Sequence, residues 1–218
     1  HEYISERLPN RLRKPSSIAP HLADKFLESN RRSIDTSISI DWQKELLKII
    51  QVGVSEFKAP INAAAMVVER RTGNVKAYVG SSAYSKIERK GAVNYLTAVR
   101  SPGSTLKPLI YATALQRGII KANHVYQDRV FNQNGYTPTN FDGKWTGEVT
   151  LKDALIRSLN IPAIETLDMV GAENFEKNLR TFFGKGVGHG KKAGLSLAAG
   201  GFYMNAENLA DLYVELAD

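Results

Sequence analysis

The stretch decisive for reading this chain is residues 100–108, RSPGSTLKP. Its Ser-Pro-Gly cluster starts a helix, and the apolar run from Ser104 to about Gln116 predicts one that stops at Gly118. Ser104 and Lys107 then stand at i and i+3, one turn apart on one face. A serine hydroxyl is a weak nucleophile until a base takes its proton. A lysine can be that base only when desolvation or a nearby cation lowers its pKa. At the first turn, Ser104 also meets the positive end of the helix dipole, which favours a developing anion. Spacing alone is not diagnostic, because Ser55-Glu56-Phe57-Lys58 repeats it late in an amphipathic segment, where it reads as surface. The second copy differs by its Pro-Gly entry, its apolar continuation and a partner. That partner is Ser158-Leu159-Asn160, 54 residues beyond Ser104, at a helix end where a loop can project into a cleft. There a hydroxyl beside a neutral lysine can shuttle protons, and a carboxamide can hold a substrate amide through its donor and acceptor. Ser158 and Asn160 read equally as a helix C-terminus followed by an N-cap for the helix at Pro162, and both readings stay open.

Working outward, residues 1–33 are rich in Pro, Ser and charge and read as a linker or docking segment, with a short helix over residues 21–29. Residues 34–40, IDTSISI, alternate with the period of a half-buried strand. Asp41 offers a cap to a helix on which Trp42, Leu46, Ile49, Ile50 and Phe57 recur. The apolar run 62–69, the turn residues 71–74 and the alternating run 75–79 predict a β-hairpin. Beyond the decisive stretch, residues 119–147 read as irregular and aromatic-rich. Thr150 and Asp153 match a capping box that opens a helix ending near Ser158. Further helices are predicted from Asn160 to Gly171, over 173–183 and from about Asn205. Residues 184–201 are glycine-rich, follow no phosphate-loop spacing and read as a loop.

Composition bounds the rest. The 218 residues are 43% hydrophobic and 23% charged, which excludes a disordered or fibrous chain, and zero cysteines exclude a disulfide scaffold and a zinc–thiolate site. The longest apolar runs, 63–68 and 108–115, fall short of a membrane span. The chain opens at His1 without a charged-then-apolar leader, so it is expected to be a piece of something larger. The net charge of +7 is scattered, densest at Arg11, Arg13, Lys14, Arg31 and Arg32. No basic helix with interleaved aromatics and no nucleic-acid motif accompanies it, so it reads as a solvated surface and nucleic acid is not an expected partner.

Taken together, Ser-x-x-Lys with a downstream Ser-x-Asn resembles the penicilloyl-serine transpeptidases. The segments RSPGSTLKPLIYATAL, YTPTNFDGKWTGEVTLKDALIRSLNIPAIETLDMVG and VVERRTGNVKAYVG are similar to the transpeptidase domain of bifunctional class A penicillin-binding proteins. NFDGKWTGEV and the earlier KPSSIAPHLADKFL strengthen the likeness, which runs from about Pro15 to Asp218. It implies an α+β, β-lactamase/transpeptidase-like fold, an antiparallel sheet flanked by a helical lobe, over residues 34–218. It implies acyl transfer in two steps on a D-Ala-D-Ala stem peptide of peptidoglycan. Ser104 would be the nucleophile, Lys107 its base, Ser158 the proton relay and Asn160 a substrate amide ligand. β-Lactams would stall at the acyl stage, and no metal or organic cofactor is implied. The setting implied is the periplasmic face of the bacterial cytoplasmic membrane.

The family's third motif, Lys-Thr/Ser-Gly on a strand, finds no match. Arg71-Thr72-Gly73 precedes the nucleophile in a hairpin turn, and Lys185-Gly186 lacks the central hydroxyl residue. The sheet is therefore expected to be incomplete at the C-terminus, with open strand edges inviting self-association. The glycosyltransferase domain and membrane anchor of the class are expected upstream of His1. Loss of an oxyanion donor costs about 10²–10³ in rate, so these residues alone are expected to acylate slowly or not at all. Two other functions share the motifs: a D,D-carboxypeptidase or β-lactam hydrolase, and a non-catalytic module that binds cell-wall peptide.

Overall fold

A computed structural model describes residues 18–27, 33–59, 61–133, 135–184, 187–188 and 192–217. Most of the expected linker, with its Arg11, Arg13, Lys14, Arg31 and Arg32, lies outside the described residues, as does Lys185-Gly186. Contacts divide the chain into two compact units, one built from residues up to Val67 with Val75–Asn94, the other from Val68–Asn74 with Tyr95 onward.

The first unit holds α1 (Pro20–Phe26), α2 (Ile40–Ser55) and the strands β1 (Ala65–Val68) and β2 (Val75–Val79), which pair in a two-stranded sheet. The hairpin is as predicted, and Gly73 (φ +67°) supplies the left-handed residue that its turn needs. α2 lies on β2, burying Ile50 and Val54 against Val79, with Leu46, Leu47, Ile61, Ala63 and Ala65 packed round them. The buried Gln43 side chain acts as a strand edge: its Oε1 accepts from the Tyr78 N–H (2.6 Å) and its Nε2 donates to the Tyr78 carbonyl (3.0 Å). Two expectations change here. Residues 34–39 form no strand: Ser39 N–H donates to the Lys76 carbonyl and Ser37 Oγ to the Val75 carbonyl, but α2 begins at Ile40 before a ladder can extend. The N-cap is Ser39, not Asp41, and Trp42, Ile49 and Phe57 are exposed, since the buried stripe runs through Gln43, Ile50 and Val54.

The second unit is mainly helical. A 3₁₀ turn, Gly103–Leu106, runs directly into α3 (Lys107–Gln116); β3 (Val125–Asp128) and β4 (Gly147–Thr150) follow, then α4 (Leu151–Ile156), α5 (Asn160–Val170), α6 (Ala172–Phe183), a 3₁₀ helix at Gly194–Ala199 and α7 (Ala206–Ala217). β3 and β4 pair antiparallel, from Val125 opposite Thr150 to Asp128 opposite Gly147, so the stretch expected to be irregular carries a strand. Its four residues are too few for alternation to register against the surrounding polar sequence. The capping box forms as expected: Thr150 Oγ1 accepts from the Asp153 N–H (3.1 Å) and donates to its carboxylate (2.8 Å). α5 is the central element, with Ala163, Ile164 and Leu167 wholly buried in a core shared with α3, α6 and the second 3₁₀ helix. That 3₁₀ helix replaces part of the expected glycine-rich loop, because Leu197 and Ala198 are drawn into the core. The result is a mixed α+β fold of helices with small antiparallel sheets.

Candidate active site

The turn that presents Ser104 is held from behind. Arg100 and Met204 exchange backbone hydrogen bonds of 2.9 Å in each direction, and Ser101 Oγ donates to the Gly200 carbonyl at 2.6 Å. Gly200 has to lack a side chain: a Cβ there would meet Ser101 Oγ at 2.6 Å and Gly103 Cα at 2.8 Å. Gly103 (φ +57°) then swings the chain into the 3₁₀ turn, and Tyr213 of α7 donates to the Thr105 carbonyl at 2.8 Å. Ser104 is left exposed at the head of a turn continuous with α3, and its hydroxyl has no hydrogen-bond partner among the described residues.

Lys107, one turn on, is buried, with 1% of its surface exposed. Its Nζ donates to the Ser158 carbonyl (2.6 Å), the Ser158 hydroxyl (3.2 Å) and Asn160 Oδ1 (2.7 Å). The structure thus joins three of the four expected residues by direct hydrogen bonds and sets the fourth, Ser104, on the turn leading into Lys107. Burial lowers the amine to about 8, the direction expected when an ammonium loses water.

The Ser158–Asn160 loop has an unusual backbone. The Leu159 N–H reaches back to the Ala154 carbonyl and the Ser158 N–H to the Leu155 carbonyl, the double bond pattern of a helix end closed by a left-handed residue. Glycine normally fills that position, yet here it is Ser158 at φ +54°. Holding a β-carbon in this region costs about 1–2 kcal/mol. The conformation aims both the carbonyl and the hydroxyl of Ser158 at Lys107. Of the two open readings, the helix end is realised at Ser158, but Asn160 is no side-chain cap: it is the first residue of α5, and its side chain contacts Lys107 and Thr139.

Five residues not singled out in the sequence analysis support this loop. Asn160 Nδ2 donates to the Thr139 carbonyl (2.7 Å), and Asn160 N–H donates to Asn140 Oδ1 (2.8 Å). Asn140 Nδ2 donates to both oxygens of the buried Asp128 (2.9 Å each) and to the Lys144 carbonyl (2.8 Å). The Thr146 N–H completes the shell of Asp128 at 2.8 Å. Among the described residues no three His, Asp or Glu side chains converge as metal ligands would.

A family model described as "Penicillin binding protein transpeptidase domain" matches residues 63–214. The chain is similar to penicillin-binding protein 1C of Escherichia coli (strain K12), 31% identical over 212 residues that make up 94% of this chain and 27% of that protein. It is also similar to penicillin-binding protein 1F of Bacillus subtilis (strain 168), 38% identical over 139 residues, 63% of this chain and 18% of the other. The chain therefore spans little more than a quarter of one curated relative and under a fifth of the other. Among solved structures, penicillin-binding protein 1A from Haemophilus influenzae aligns with a TM-score of 0.56 at 26% identity, over 70% of this chain and 23% of that one. The penicillin-binding protein PonA1 from Mycobacterium tuberculosis aligns with a TM-score of 0.70 over 90% of this chain and 55% of its own, at 19% identity, a likeness of fold.

Proposed function

The chain belongs to the family of penicillin-binding protein transpeptidase domains, and from that premise we propose that it carries the acyl-transfer site of a peptidoglycan D,D-transpeptidase, with Ser104 as nucleophile. The observation that carries this reading is the hydrogen-bond set of the Lys107 amine. The Ser158 carbonyl can only accept, and Asn160 Oδ1 is the acceptor end of an amide whose Nδ2 is committed to Thr139. A neutral amine has two N–H bonds and one lone pair. With both N–H bonds drawn to those fixed acceptors, the position that the ammonium's third N–H gives to Ser158 Oγ becomes a lone pair in the neutral amine, able to accept the Ser104 proton in the reaction.

The chemistry follows. Lys107 Nζ takes the Ser104 proton as Oγ bonds to the carbonyl carbon between the two terminal D-alanines. The C–N bond breaks, and the departing D-alanine amine receives a proton from Lys107 by way of Ser158. An amine of a second stem peptide then attacks the acyl-enzyme, its proton returns along the same route, and Ser104 regains its hydroxyl. β-Lactams enter the first step and stay, since no leaving group departs to make room for the second amine. The acting site faces the periplasm at the cytoplasmic membrane, where the polymer lies; no helix among the described residues is long and apolar enough to cross a membrane.

The test is intact-mass spectrometry and peptide mapping after penicillin exposure of the full-length gene product. The expected result is one adduct of penicillin mass, located on Ser104. No adduct, or one elsewhere, overturns the reading, and D-alanine release without cross-links marks a carboxypeptidase.

A further inference from the structure

We propose that Asp128 and Asn140 are positioning residues for the lysine base: a buried carboxylate fixes which way the Asn140 carboxamide faces, and Asn140 in turn fixes Asn160 against Lys107. The inference rests on the reading of Lys107 as the base and extends its site two residues inward.

Asp128, at the end of β3, is 1% exposed, and Asn140 is 4% exposed. A carboxylate can only accept, so the Asn140 amide has one allowed orientation. Its Nδ2 faces the two Asp128 oxygens and the Lys144 carbonyl, and its Oδ1 faces the Asn160 N–H. Turned over, it would oppose an N–H to the Asn160 N–H and an oxygen to a carboxylate, leaving buried groups unpaired at about 1–3 kcal/mol each. Thr139 makes the same choice for the neighbouring amide by accepting from Asn160 Nδ2, which leaves Oδ1 for Lys107. Asp128 thus orients the Asn140 carboxamide, which holds the Asn160 backbone, while the Thr139 carbonyl sets the sense of the Asn160 carboxamide that meets the amine. Pairing of β3 with β4 makes this possible: Asp128 sits opposite Gly147, and the adjacent Thr146 N–H donates to it.

Burial alone lowers Lys107, with no charged group contributing. From β3 the relevant group is Asp128. From α5 it is Glu165, whose carboxyl is pushed up chiefly by burial and further by Asp128, with Arg129 opposing. Lys144 offers its carbonyl to Asn140.

Asp128→Asn tests the relay with an isosteric change. The new NH₂ group opposes Asn140 Nδ2 in either orientation, and the Thr146 N–H as well in one of them. Relief by turning Asn140 over breaks its bond to Asn160, water reaches the amine, and Lys107 becomes a more ordinary lysine. Asn140→Ala removes the tether without a donor clash and serves as the second variant, with circular dichroism and melting confirming that both fold. Two readouts apply to the full-length protein: the Lys107 titration by NMR of ¹⁵Nζ-labelled lysine, and the rate of Ser104 acylation by a fluorescent penicillin from pH 6.5 to 10. The Lys107 midpoint is expected to rise by at least about one unit. Acylation at pH 7.5 should fall about tenfold, the neutral fraction lost per unit, and the deficit should narrow above pH 9.5. A Lys107 midpoint unchanged in both variants, or a rate deficit equal at every pH, overturns the proposal and leaves Asp128 as scaffold. If the wild-type protein takes no adduct at Ser104, the transpeptidase reading fails separately, and the NMR titration still decides the relay.

Discussion

Ser55 is the last residue of α2 and Lys58 lies three residues beyond it, both exposed, with Ser55 Oγ donating back to the Val52 carbonyl at 2.7 Å. Ser104 and Lys107 have the same spacing, but Lys107 is buried and its amine is bound by the Ser158–Asn160 loop. The difference lies in what surrounds the lysine. In the first pair water solvates both groups and the serine spends its hydroxyl on its own helix. In the second, burial brings the amine to about 8 and the Ser158 carbonyl and Asn160 Oδ1 hold it, the conditions that the proposed base role needs. An i, i+3 spacing by itself buries neither amine; a base requires walls.

The comparison can be broken at four points. The largest effect is expected from the nucleophiles: Ser104→Ala should lower covalent penicillin labelling by at least about 10³-fold, whereas Ser55→Ala leaves it unchanged, as read by intact mass. Next come the lysines. Lys107→Met should slow acylation by about 10²–10⁴-fold, the range for a lost general base, while Lys58→Met should be silent in stopped-flow labelling. Third is pH: acylation should rise about tenfold per unit below the Lys107 midpoint near 8 and level above it, because only the neutral amine accepts a proton. A flat profile through that range would detach Lys107 from the chemistry. The smallest effect is on stability, and it has opposite signs at the two serines. Ser158→Gly removes a β-carbon from a left-handed position and should stabilise by about 1 kcal/mol while slowing acylation. Ser55→Gly, in a helix, should destabilise by about 0.5 kcal/mol with no effect on labelling. Chemical denaturation measures both.

Much of the local structure was legible residue by residue. Thr150 with Asp153 announced a helix start, Gly73 a hairpin turn and Gly118 a helix stop, each through a short-range interaction that needs no distant partner. Residues 34–39 misled because alternation describes a preference and a strand needs a ladder, which α2 cuts off at Ile40. β3 was missed for the converse reason, since its identity comes from pairing with β4 across an intervening loop. Within the candidate site, Ser104, Lys107, Ser158 and Asn160 were recognisable by spacing and family likeness. Asp128 and Asn140 were not, because their meaning lies in the sense of hydrogen bonds between residues 12 and 20 positions apart.

The sequence by itself determined which groups this chain can offer: a hydroxyl and an amine one helical turn apart, a second hydroxyl and carboxamide on a later loop, and the caps and turns that frame them. Those are consequences of covalent order and short-range hydrogen bonding, which act within a few residues. Tertiary structure alone decided that Lys107 loses its water, that the Ser158 carbonyl and hydroxyl meet its amine, and that Asp128 faces the Asn140 carboxamide behind the loop. Burial, dielectric and hydrogen-bond direction are properties of the space between segments, and that space exists only once α3, α5 and the β3–β4 pair have packed.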